Sequence, residues 1–202
     1  MRHRQYDATL HGKFPGLNYS HERPFRHWKS NHLNTLVGGW LKSNPPCLEL
    51  ATLAHNELLQ RGEDLAAVMK FAEAELEPVS WLDDARIRVQ KAFTSEILQR
   101  DKKGRLGGSV YVILRGGYTE HNGWYGVYVG STTRKIEQRF REHRTSSRAG
   151  RGLIAHGIEP LYSLFDCINP VPVKRSDLQE WETRLHEALA PVIPKVTGDV
   201  AF

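Results

Sequence analysis

Ser109-Val-Tyr-Val-Ile-Leu114, then Tyr125-Gly-Val-Tyr-Val-Gly130, then Ser131-Thr-Thr-Arg-Lys-Ile-Glu-Gln-Arg-Phe-Arg-Glu-His143 is the stretch whose reading decides the fold. The first run is apolar throughout from Val110 to Leu114, as in a strand buried on both faces. In the second, Tyr125, Val127 and Val129 alternate with Gly126, Tyr128 and Gly130, which suits an antiparallel partner strand. The third reads as a helix, with Ile136 and Phe140 turned to the core. Arg139 and His143 stand four residues apart, so they share one helical face. Tyr111, Tyr128, Arg139 and His143 can therefore converge on one spot. Two phenols, a guanidinium and an imidazole are groups that handle phosphate esters.

Working outward toward the C-terminus, Leu161–Ile168 reads as a third strand. Ser176 caps a final helix with Leu178, Trp181, Leu185 and Leu189 on its core stripe. Glu182 falls one turn after Leu178, at the edge of that stripe. Toward the N-terminus, the polar, glycine-rich Asp101–Gly108 marks a domain boundary. Before it the pattern is helical. Leu33, Leu36, Val37, Trp40 and Leu41 follow the 3.6-residue period, and Pro45-Pro46 breaks the run. Leu50, Ala54 and Leu58 mark a second helix closed near Gly62. Leu65, Val68, Met69, Ala72 and Leu76 stripe a third, and Leu82, Ala85, Val89, Phe93 and Ile97 a fourth. Residues 1–30 mix bases, aromatics and turn residues without a period. Their rings and cations either stack on bases and track phosphates or pack over the helices. The expected organisation is an arm at 1–30, a helical region at 31–105 and a mixed α+β domain at 106–202.

The chain has 202 residues and a formal net charge of +5. No apolar run approaches the ~18–20 residues of a membrane span. The N-terminus lacks the apolar segment of a secretory signal. Cys47 and Cys167 make no disulfide framework and show no metal-ligand spacing, so a reducing cytoplasm is expected. Residues 1–30 hold Arg2, Arg4, Lys13, Arg23, Arg26 and Lys29 against Asp7 and Glu22. Residues 134–151 hold Arg134, Lys135, Arg139, Arg141, Arg144, Arg148 and Arg151 against Glu137 and Glu142. Two basic patches around a neutral-to-acidic body fit a nucleic-acid footprint. A groove-reading helix pair across Gly62 is disfavoured, because 57–84 is acidic where a recognition helix is basic. HExxH and CxxC are absent, Gly116-Gly117 lacks the Lys-Ser/Thr of a P-loop, and there is no Gly-x-Ser-x-Gly elbow.

Each candidate alone has a plain structural reading: a strand tyrosine fills a core, and a helix-end histidine offsets the helix dipole. Together with Glu182 they make a chemical set. A carboxylate can hold Mg²⁺. An arginine can neutralise charge growing on phosphoryl oxygens. A phenol has a pKa of about 10, so about one in a thousand is ionised near pH 7. A neighbouring base such as His143 must then share its proton.

In order and spacing these residues resemble the GIY-YIG nuclease family. Ser109-Val110-Tyr111 stands where the family has Gly-Ile-Tyr, and Tyr128-Val129-Gly130 where it has Tyr-Ile-Gly. A helix with Arg-x-x-x-His follows. The last helix resembles the family's closing element, a metal-binding glutamate with a proline some residues on, here Glu182 and Pro191. The resemblance covers about 106–195. It implies a small antiparallel three-stranded sheet flanked by helices, and one divalent metal on Glu182, Mg²⁺ with Mn²⁺ able to replace it. It implies Tyr111 as general base or relay assisted by His143, with Tyr128 and Arg139 gripping the scissile phosphate. The product ends are then a 5′-phosphate and a 3′-hydroxyl. This sequence departs from the family at Ser109, in the longer loop holding His121 and Trp124, and at Pro194-Lys195, where an asparagine often stands. Glu180 and Glu187 compete with Glu182 as the late acid.

The expected function is a Mg²⁺-dependent endonuclease acting on double-stranded DNA, of restriction type. Arg134, Lys135, Arg141, Arg144, Arg148 and Arg151 are its expected DNA contacts. Cutting both strands calls for two sites, hence a homodimer. The rivals are a homing, mobile-element or repair nuclease, a fold that binds nucleic acid without cutting, and a protein whose basic patches serve an acidic partner.

Overall fold

The computed structural model describes residues 14, 16–98, 108–120, 123–145, 152–171 and 178–198. Arg148 and Arg151, the predicted helix cap Ser176 and most of the predicted boundary segment lie outside them. The chain divides into two compact units, Met1–Ser80 and Trp81–Phe202.

In the first unit, α1 (Ser30–Leu41) buries Leu33, Val37, Trp40 and Leu41, the residues its period singles out. Helix α2 (Leu48–Arg61) buries Leu48, Leu50, Ala51, Leu53, Ala54 and Leu58, more than one stripe, so it is central to this unit. Gly62 ends it in the left-handed region at φ 71°, a conformation glycine adopts without a β-carbon penalty. Helix α3 (Leu65–Glu73) differs from the sequence reading. It buries Ala67 and Phe71 and leaves Leu65, Val68 and Met69 exposed. Phe71, with the largest apolar area on that helix, fixes which side turns inward. Periodicity finds a stripe but not what covers it.

The aromatics of the expected arm belong in part to this unit's core. Tyr19 and Phe25 are buried, and Phe14 and Phe25 each lie 5.8 Å from the Trp40 ring. Arg61 ties the segment down by donating to the carbonyls of Phe25, Arg26 and Trp28 and to Ser30 Oγ. The buried Glu57 accepts from Arg23 at 2.6 Å and from Arg61 at 2.7 Å. Burial pushes the Glu57 carboxyl up, but those two guanidinium groups outweigh it and hold it below the usual range.

The second unit opens with α4 (Leu82–Ala92) and α5 (Thr94–Leu98). The strands β1 (Ser109–Arg115) and β2 (Gly126–Thr132) pair antiparallel, Tyr111 opposite Gly130 and Ile113 opposite Tyr128. After β2 come α6 (Ile136–Thr145), α7 (Leu153–His156), β3 (Gly157–Pro160), α8 (Tyr162–Phe165), α9 (Leu178–Leu189) and β4 (Val196–Gly198). The sheet order is β3-β1-β2-β4. β3 is antiparallel to β1, and β4 is parallel to β2. Helix α9 packs on β1, β2 and β4 and against α4. Arg184 on α9 bonds Glu96 and the Ala92 carbonyl and lies over the Phe93 ring.

The class is α+β. The expected sheet of three antiparallel strands is corrected to four strands in a mixed sheet. The third strand is also shifted: Leu161–Ile168 is not a strand, and β3 ends at Pro160. Beyond it Leu164 N donates to Leu161 O and Asp166 N to Tyr162 O, the turns of α8. All four α8 residues are buried, and a short run buried on every side carries no period that tells helix from strand.

Candidate active site

Side chains alternate along a strand, and residues directly opposite across an antiparallel pair share a face. The register therefore puts Tyr111 and Tyr128 on the same face of the sheet. Their rings lie 6.3 Å apart at 30°. Helix α6 brings its Phe140 and His143 to the interior. His143 is 0% exposed. Its Nε2 lies 2.7 Å from Tyr111 Oη. Its ring centroid is 5.8 Å from that of Tyr111 and 5.3 Å from that of Tyr128. Three elements thus place two phenols and an imidazole in one buried triangle.

Gly130 makes room for it. A β-carbon there would stand 2.6 Å from Tyr111 Oη and 2.9 Å from a Tyr128 ring carbon. Real β-carbons do not come so close, so the tyrosines take these positions only beside a glycine.

Arg139 joins the cluster from α6. Burial pulls its guanidinium pKa down, but hydrogen bonding and charge from Tyr111, the bond to Glu142 and the charge of Tyr128 raise it above its ordinary value. Glu142, which sequence reading passed over, bridges two arginines. Arg139 Nη1 stands 3.4 Å from its Oε2, and Arg134 Nη1 stands 2.5 Å from its Oε1. The Arg134 hydrogen bond, then charge and the Arg139 bond, hold the Glu142 carboxyl below the usual range despite some burial cost. Its spacing of three residues from Arg139 was the available signal. A second contact missed from sequence fixes the start of α6: Tyr162 Oη on α8 donates to Glu137 Oε1 at 2.8 Å.

Glu182 is 6% exposed, while the competing Glu180 and Glu187 are exposed. It shares the inner side of α9 with Leu178, Leu185 and Leu189. No group of three or more His, Cys, Asp or Glu side chains that could hold a metal occurs among the described residues. Glu182 offers a carboxylate, the donor type Mg²⁺ takes. A hard cation of this size keeps several waters and needs one or two carboxylates plus substrate phosphate oxygens.

Of the expected DNA contacts, Arg134, Lys135, Arg141 and Arg144 are exposed on and beside α6. Arg144 Nη1 also donates to Gly157 O at 3.1 Å. Among the described residues, no helix is long and apolar enough to cross a membrane. Comparison with protein-family models, with curated proteins and with solved structures finds no match to this chain.

Proposed function

We propose that this chain is a GIY-YIG-type endonuclease that hydrolyses phosphodiester bonds in double-stranded DNA with the help of Mg²⁺. The observation that carries this reading is the 2.7 Å contact between Tyr111 Oη and His143 Nε2, with Tyr128 and Arg139 beside it. A phenol needs an acceptor for its proton to act as a base near neutral pH, and a buried imidazole in contact is one. The positive charge of Arg139 favours the phenolate further.

In the proposed reaction Tyr111 Oη takes a proton from the attacking water, and its own proton passes to His143 Nε2. The water oxygen bonds to phosphorus, and the bond from phosphorus to the 3′ oxygen breaks. The 3′ oxygen takes up a proton from solvent, which leaves a 3′-hydroxyl and a 5′-phosphate. Arg139 and Tyr128 offer N–H and O–H donors to the phosphoryl oxygens as charge grows there. A Mg²⁺ ion held by Glu182, or Mn²⁺ in its place, would supply further neutralisation of that phosphate and of the leaving oxygen.

Within this class we infer a restriction-type enzyme working as a homodimer in a reducing cytoplasm, where the buried thiols of Cys47 and Cys167 stay reduced. The helical unit would then supply binding, specificity or dimer contacts. The test is plasmid cleavage by the full chain with and without Mg²⁺, beside Tyr111→Phe and Glu182→Ala. Metal-dependent cutting that both substitutions abolish supports the reading. DNA binding without cutting under any metal condition points to a binding module instead.

A further inference from the structure

We propose that Arg115, with Arg144 and His156 beside it, forms a second phosphate subsite on the face of the sheet that carries Tyr111. It would hold a flanking phosphodiester of the bound DNA. This rests on the reading of that face as the DNA-cutting surface.

Tyr111, Ile113 and Arg115 alternate onto one face of β1, and the pairing with β2 runs without a break through Arg115 opposite Gly126. Thr197, opposite Tyr128 on the neighbouring strand, accepts a hydrogen bond from Arg115 Nη1 at 2.9 Å. The Arg115 guanidinium also lies 5.8 Å from the Tyr118 ring centroid. Both partners are neutral. Arg115 Nε is buried and makes no hydrogen bond. The carboxylate of β3, Glu159, pairs opposite Leu114 and so belongs to the other face.

Further cation-capable groups gather where β1 ends. A β-carbon on Gly152 would stand 2.6 Å from Arg115 Nη2 and 4.0 Å from the His156 ring, so those two groups flank one point. Arg144 donates to Gly157 O, and Gly157 is the cross-strand neighbour of Arg115. Half-buried guanidinium groups are ordinarily paired with an anion. Among the described residues Arg115 meets a hydroxyl and a ring instead, with Arg144 and His156 nearby. No anionic partner stands against Arg115 among the described residues, and a guanidinium fork suits a phosphate oxygen.

Four residues of strand span about 13 Å at ~3.3–3.4 Å each, so a phosphate held at Arg115 would be a different one from the phosphate at Tyr111.

The test measures binding of the full chain to a labelled duplex by fluorescence anisotropy across a salt series, in EDTA so that no strand is cut. Loss of one phosphate contact lowers the slope of log K against log salt by about 0.9. Arg115→Gln is expected to show that drop, with affinity about tenfold weaker at low salt and an unchanged melting temperature. An unchanged slope in the folded variant overturns the subsite. So does a variant that loses affinity for inorganic phosphate while its DNA slope stays intact, because the site then serves a small anion. A second measurement needs no variant. Phosphate-ethylation interference on the unaltered chain is expected to mark a phosphate flanking the scissile one, and interference confined to the scissile phosphate overturns the proposal. Absence of metal-dependent cleavage tells against the nuclease reading by itself, while the slope judges the subsite on binding alone.

Discussion

The hydroxyl oxygen of Tyr111 lies 2.6 Å from the point where a β-carbon on Gly130 would stand. Gly130→Ala must therefore move the phenol, the strand or both. Overpacking of this kind costs about 1–3 kcal/mol of stability. A shift of about 1 Å in a reacting group costs on the order of a hundredfold in rate. Gly130→Ala is expected to fold, to melt a few degrees lower and to cleave about a hundred times more slowly. Chemical denaturation and single-turnover cleavage read the two effects separately. A variant that cleaves at the normal rate would show that the phenol's position does not matter.

In the proposed reaction Tyr111 and His143 share one proton path, so their substitutions should not add. Tyr111→Phe is expected to slow cleavage by about 10²–10⁴-fold, the range for losing a general base. His143→Ala should fall within the same range, and the double variant should be no slower than the slower single one. Multiplying losses in single-turnover kinetics would mean that the pair does not act as a unit.

Glu142 holds Arg139 and Arg134 and, on the proposed reading, places a negative charge where DNA phosphates approach. Glu142→Gln removes the charge and keeps the shape. DNA affinity at low salt is expected to rise a few-fold, because a like charge no longer opposes the phosphate. Cleavage is expected to slow by about tenfold as Arg139 loses its hold. Anisotropy and single-turnover rates measure these opposite shifts. Weaker binding at a normal rate would count against this role.

Among the acids of α9, the burial pattern singles out Glu182. Glu182→Gln is expected to abolish cleavage and its dependence on added Mg²⁺, while Glu180→Gln and Glu187→Gln stay within about twofold of the unaltered chain, as exposed surface positions do. Cleavage lost in Glu180→Gln or Glu187→Gln but kept in Glu182→Gln would move the metal site.

The Arg184 hydrogen bond, helped by Ser95 and opposed by burial, lowers the Glu96 carboxyl to about 2. A carboxyl lowered on folding adds stability above its unfolded value, near 4.5, and loses it as pH falls toward 2. Melting temperature is therefore expected to drop across that window. Arg184→Gln should flatten part of the drop and cost about 1 kcal/mol or less near neutral pH, since the pair is partly exposed. An equally steep acid transition in Arg184→Gln would assign it to other carboxylates.

Much of this arrangement was legible in the sequence. The apolar run at 110–114 and the alternation at 125–130 mark two strands because strand faces repeat every two residues. Arg139 and His143 announce a shared face through their spacing. Other features leave no such mark. Leu161–Ile168 is buried on all sides at α8, so its pattern suits either element. Val196–Gly198 is too short for any period. Leu65, Val68 and Met69 stripe a helix as core residues do, yet Phe71 turns that stripe outward. Glu142 reads as an ordinary surface acid until Arg134, eight residues earlier, folds back onto it. Gly130 shows its purpose only when the register sets it against Tyr111.

The pairing of Val196–Gly198 alongside Val127–Val129 has a practical corollary. Those three residues shield the backbone of the strand that bears Tyr128, and the β-carbon position of Gly198 falls 2.5 Å from the Val129 carbonyl oxygen. Trimming the chain before Val196 would bare a row of amide and carbonyl groups beside Tyr128. Unpaired strands of that kind recruit other chains into aggregates, so a truncated chain is expected to lose solubility.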